Sequence, residues 1–149
     1  MQTNIRPSDL FAIIGNIDPD AYTANAYDTG YISVSKFARV AFIVQAGDLG
    51  SNATLDAKLQ YATSSGGAGV TDITGAAITQ LTQAGTDSNK QAIIEVNVDS
   101  LPSGATHVRG VMTVGTATSD CGAILLGFGP RYAPARDNDA ATVDEIVSA

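Results

Sequence analysis

The chain offers one histidine, His107, and one cysteine, Cys121, as its candidates for nucleophilic or metal chemistry. A Cys or Ser nucleophile needs an imidazole beside it and a carboxylate to orient that imidazole, and a zinc site needs three or four His, Cys or carboxylate ligands. His107 stands beside Val108 in a short apolar stretch with no second histidine in the chain, and reads as a strand-surface residue. Cys121 opens the apolar run CGAILLGF, which makes it a buried thiol of a reducing compartment, and with no second cysteine it forms no intramolecular disulfide. Asp18, Asp20 and Asp28 are the remaining candidates, since three carboxylates can gather around calcium. Their spacing lacks the glycine and the closing Glu of an EF-hand loop, and Asp18-Pro19-Asp20 reads as a turn. Neither GxSxG nor GxxxxGK[ST] occurs, and Gly66-Gly67-Ala68-Gly69 lacks the lysine and helix start that cradle a phosphate. The residues therefore predict no catalytic centre, no cofactor and no metal site, and a protein that is not an enzyme.

Composition points to what such a chain is built from. At 149 residues it is one domain, long enough to bury a core without disulfides or metal. Charged residues make up 15%, against roughly 25% in ordinary soluble domains, so small and polar residues must form the surface. Glu occurs only at Glu95 and Glu145, which argues against a helical bundle and for β structure. The net charge of -7, with the basic residues scattered singly, gives no electrostatic basis for holding nucleic acid. The N-terminal stretch lacks the charged start and long apolar core of a signal peptide, and no run reaches transmembrane length, so no membrane partner is expected.

Apolar periodicity then places the elements. Residues 37–46 (FARVAFIVQA) predict a strand with Ala38, Val40, Phe42, Val44 and Ala46 on one face. Residues 55–63 alternate cleanly, with Leu55, Ala57, Leu59 and Tyr61 inward. A loop at 64–69, a short strand at 78–82 and a polar turn at 84–90 follow, and residues 91–98 alternate Ala92, Ile94, Val96 and Val98 inward. Residues 108–134 read as a hairpin whose second strand, 121–128, is apolar on both faces. Cys121, Ala123 and Leu125 face one way and Ile124, Leu126 and Phe128 the other, so a second cover, from this chain or another subunit, is needed. At six or more strands with sandwich spacing the fold reads as all-β, an antiparallel β-sandwich of jelly-roll type. The expected core includes Val40, Phe42, Val44, Leu59, Ile94, Val96, Met112 and Ile124.

The ends read differently from the middle. In residues 1–30 an apolar cluster of Leu10, Phe11, Ile13 and Ile14 precedes turn chemistry; Ser8 can cap a one-turn helix there, but the segment reads rather as an N-terminal arm. Residues 135–149 read as a short acidic C-terminal tail, extended or briefly helical, that serves solubility. The domain proper is then 31–134. Leu10, Phe11, Ile13, Ile14, Leu126 and Phe128 are the expected interface residues.

The order of elements at 37–47, 55–63, 64–69, 91–99 and 108–134, closing on Arg131-Tyr132-Ala133-Pro134, resembles the small jelly-roll cement, or head-decoration, proteins of tailed bacteriophages. That resemblance covers about residues 31–134. It implies a non-enzymatic structural virion protein, made in the host cytoplasm and often a homotrimer, that sits on the outer face of the capsid and clamps major capsid protein subunits. It implies no small-molecule substrate. A head-completion or tail structural protein would share these features, and a carbohydrate-binding jelly-roll module is the alternative from another class, although the chain has no Trp for sugar stacking.

Overall fold

The computed structural model describes residues 5–148. A one-turn helix α1 (Pro7–Leu10) leads into β1 (Phe11–Tyr22), β2 (Asn25–Asp28), β3 (Ile32–Ser33), β4 (Phe37–Ala46) and β5 (Thr54–Ala62). There follow β6 (Thr71–Ala77), β7 (Leu81–Thr82), β8 (Gln91–Asn97), a 3-10 turn at Val98–Ser100, β9 (His107–Gly115) and β10 (Ser119–Pro130). All pairings are antiparallel. One sheet runs β1-β10-β4-β8 and the other β2-β9-β5-β6, with the two-residue strands β3 and β7 added beside β9 and β5. Without those two short strands, the eight that remain run first-eighth-third-sixth and second-seventh-fourth-fifth, so two interleaved Greek keys make a jelly roll.

Period-two alternation drives the two sheets together. Val40, Phe42, Val44, Ile94 and Leu125 of the first sheet meet Leu55, Leu59, Val108, Met112 and Val114 of the second in one core. Phe42 is fully buried between the sheets and needs a glycine opposite it. A Cβ at Gly110 would penetrate the Phe42 ring, so the bare backbone of β9 is what seats the ring. Most expected core residues lie here, with two differences. Val96 is half-buried at the margin, and Ile124 is 36% exposed, because it pairs with Ile43 on the outer side of the sheet. Ala38 is exposed as well; Phe37 fills the start of β4 inward instead, where the backbone turns through a Phe37 N–H to Val34 carbonyl bond of 3.2 Å.

Four expectations about the chain path are corrected. Residues 108–134 do not form a hairpin: β9 pairs with β2 and β5, β10 pairs with β1 and β4, and residues 116–118 carry the chain from one sheet to the other. Thr116 takes φ 72° at this corner, and the buried Ser119 secures it by accepting from the Gly50 N–H at 3.1 Å and donating to the Ala117 carbonyl at 3.3 Å. Nor do residues 5–30 form an arm, residues 1–4 of that expectation lying outside the described residues. After α1, β1 lies in the first sheet from Phe11↔Phe128 to Tyr22↔Ser119, and β2 belongs to the second. A register shift between Ile13 and Gly15 lets Ile14 and Ile17 both enter the core, so the cluster is held by the sandwich itself. The strand expected at 78–82 shrinks to Leu81–Thr82, while β6, unforeseen, precedes it.

The fourth correction concerns the tail, whose first residues are structural. Ala135 is buried and donates its N–H to the Asp9 carbonyl at 2.9 Å. Asp139 N–H donates to the Ile13 carbonyl at 2.7 Å, and Ile13 N–H donates to Asn138 Oδ1 at 2.8 Å. Asp137 pairs with Lys36. The tail thus straps the free edge of β1. Deleting residues 135–148 removes these three hydrogen bonds at about 1 kcal/mol each. Urea denaturation is expected to show a loss on the order of 3 kcal/mol; an unchanged midpoint would mean that the strap adds nothing to stability.

Candidate functional site

The residues that could do chemistry stay apart. His107 sits in β9 with Nδ1 2.8 Å from Thr106 Oγ1, and Cys121 sits in β10 with its thiol against the Ser119 carbonyl. Burial, with the Asp120 carboxylate adding to it, pushes that thiol up to about 11, so it stays protonated at neutral pH. Asp18 accepts from the Asn16 side-chain amide, Asp20 from the Ala21 N–H at 2.7 Å, and Asp28 from Gly30 N–H at 2.8 Å and from Arg109 at 3.2 Å. These are local turn and surface bonds, and no cluster of three metal-ligating side chains exists among the described residues. No helix among them is long and apolar enough to cross a membrane.

What the fold does build is a contrast between its two outer faces. On the second sheet, Arg109 Nε donates to Gln60 Oε1 at 2.8 Å while its guanidinium lies 4.7 Å from the centre of the Tyr31 ring. Gln60 Nε2 and Lys58 Nζ donate to the two oxygens of Asp72, which hold that carboxyl below its usual range, and Gln80 Nε2 donates to Asp56 at 2.7 Å. This polar lattice spans β2, β9, β5 and β6 and is at home in water.

Among the described residues, the outer face of the first sheet has no such lattice. The strand registers align its side chains in rows: Phe11, Phe128, Arg39, Asn97; then Ile13, Leu126, Ala41, Glu95; then Asn16, Ile124, Ile43, Ile93; and finally Gln45 with Gln91 beside Gly122. The Phe11 and Phe128 rings pack at 5.6 Å. Leu126 is shielded by its neighbours, but Ile93 is 62% exposed. Two shallow hollows flank the central isoleucines, one beside Phe128, Ala41 and Glu95 and the other beside Asn16, Gln45 and Ile124.

Of the expected interface residues, the structure brings Phe11, Ile13, Leu126 and Phe128 together on this face. Leu10 lies at its end in α1, exposed, whereas Ile14 is buried in the core. Sequence reading missed Ile43 and Ile93. Their signal was present, since FARVAFIVQA and QAIIEVNV each carry an isoleucine on the supposedly wet face.

No protein-family model and no curated protein sequence matches the chain. Among solved structures, the chain is similar to a subunit of the Cowpea mosaic virus empty virus-like particle, at 8% identity over 89% of this chain and 87% of that one, with a TM-score of 0.42. It is also similar to the CBM22-1 and GH10 modules of Clostridium thermocellum xylanase 10B complexed with xylohexaose, at 12% identity over 86% of this chain and 29% of that one, with a TM-score of 0.41. At such TM-scores the likeness carries no argument, and the jelly roll rests on this chain's own strand order.

Proposed function

We propose that the chain is a non-enzymatic structural subunit of a tailed-phage virion, a decoration or cement protein that lays the outer face of its four-stranded sheet on the major capsid protein at the outside of the head. The observation that carries this reading is the asymmetry of the two outer faces, one a satisfied polar lattice and the other an apolar field running from Phe11 to Ile93. Contiguous apolar area on a soluble domain marks a contact surface. Each large side chain there gains up to about 1.5–3 kcal/mol when water is removed. A subunit that bridges neighbours by such burial needs no catalytic group, and the strand-order resemblance to phage cement proteins points the same way.

Adding the full-length chain to heads assembled from the major capsid protein of its virion, then sedimenting them, tests the proposal. The expected result is co-sedimentation at a copy number approaching that of the capsid protein. Attachment at a handful of copies would favour a head-completion or tail-joining role. No attachment, with binding on a glycan array instead, would replace the proposal with the carbohydrate-binding reading.

A further inference from the structure

Native sheets blunt their edges, because an unpaired row of N–H and C=O groups templates another strand. This sandwich has four edges and blunts three of them. The tail straps β1, whose pairing is further broken by two register shifts and Pro19. The edge beside β9 is divided between four-residue β2 and two-residue β3. The edge beside β5 is divided between β6 and β7, with a register shift at Lys58/Gln60 and Gly75 at φ 79°.

The fourth edge, β8, is treated differently. It pairs with β4 without a shift from Arg39↔Asn97 to Gln45↔Gln91, holds no Pro, Gly or Lys, and has no strand among the described residues on its other side. The Ala46 N–H to Lys90 carbonyl bond of 2.8 Å fixes the alternation: Ala92, Ile94 and Val96 direct their amides at β4, and Gln91, Ile93 and Glu95 direct theirs outward. No other backbone or side-chain group among the described residues bonds to those outward amides.

We infer that this edge pairs with the β8 edge of a second copy, antiparallel about a two-fold axis through Ile93. That register sets Ile93 against its own counterpart and Gln91 against the Glu95 of the other copy, an amide donor facing a carboxylate acceptor on both sides of the axis. On the inner side it sets Ala92 against Ile94. The occupant is a second copy because the strand complements itself and because the isoleucine row continues through the joint: Ile124, Ile43 and Ile93 of one subunit run into the same three of the other. Shifting the register by one step about Ile94 would set Ile93 against Glu95 and break that row. The pairing is independent of what the apolar face binds, and it is two-fold, unlike the threefold association that the cement resemblance implies.

Sedimentation equilibrium of the full chain, up to roughly 0.5 mM, together with disulfide trapping under dissolved oxygen, tests the pairing. In a hydrogen-bonded antiparallel pair, Cα atoms opposite one another lie about 5.5 Å apart, within reach of a disulfide. Ile93→Cys is therefore expected to link to itself at least tenfold faster than Ile124→Cys, roughly as an effective concentration in the millimolar range demands. The product should have twice the 15.2 kDa monomer mass, and Cys121, being buried, should stay out of the reaction. Ile93→Lys should remain folded by circular dichroism and be monomeric at every concentration. Equal trapping of Ile93→Cys and Ile124→Cys, a wild-type chain with no dimer at the highest concentration, or a trimer that Ile93→Lys leaves intact would each overturn the inference.

Discussion

Ile43→Asp is expected to cut attachment to the capsid by roughly 30-fold or more while leaving the fold intact. Ile43 is half-buried on the outer face, between Ile124 and Ile93, with its side chain directed away from the core. A carboxylate there leaves the free subunit comfortable in water but must be desolvated, unpaired, when the face is covered. Losing a central apolar anchor of an interface typically costs about 2 kcal/mol or more, which is the stated factor. Lys58→Gln, on the polar outer face, breaks the contact with Asp72 and should leave binding unchanged. The reverse pattern, with Ile43→Asp attaching normally and Lys58→Gln failing, would assign docking to the other sheet and reject the proposed face.

One residue earlier in the same strand the expected effect moves from binding to stability. Phe42 is fully buried, and its ring occupies the space that Gly110 leaves open in the opposite sheet. Phe42→Ala should cost about 3–5 kcal/mol, a large share of the roughly 5–15 kcal/mol that holds a domain together. Ile43→Ala should cost about 1 kcal/mol or less, as outward positions usually do. Urea midpoints measured side by side decide it, and equal losses at the two positions would contradict the inward-outward assignment of β4.

How far these assignments were legible in the sequence depends on whether a strand is half-buried and regular. β4 was read to its exact ends, because FARVAFIVQA alternates between apolar residues and two clear polar markers, Arg39 and Gln45. β5 was displaced by a single residue. β6 was invisible, since TDITGAA lies on an edge with Ala76 as its sole buried side chain and offers no alternation to detect. β1 was hidden for another reason: the Ile14-Gly15 step inserts an extra residue, so its apolar positions lose period two although the strand is twelve residues long.

The mistaken hairpin shows where local reasoning ends. A short polar link between two strands fits a hairpin and an inter-sheet corner equally well, and neighbouring strands usually pair. The deciding clue was the strand apolar on both faces, which suits the interior of a sheet. β10 takes that place between β1 and β4, and the unmet cover on its outer side becomes the apolar face. The site was therefore half legible: Phe11, Ile13, Leu126 and Phe128 were singled out by composition, but that Ile43 and Ile93 share their surface follows only from strand order.

That interior position of β10 also governs when the molecule can fold. As the chain is synthesised, β4 and β8 can pair early, but β4 then presents a bare edge to the lane that β10 will fill, and β1 has no partner at all. Both wait for residues 119–130, and the pairing of Phe11 with Phe128 closes a loop that contains every strand from β2 to β9. Loop closure on that scale is paid in entropy before contacts reward it, and sandwiches of such non-local pairing fold on the millisecond-to-second scale. Nascent chains that stop short of β10 carry an exposed strand edge and half a core, so premature termination yields aggregation-prone fragments instead of a smaller working domain.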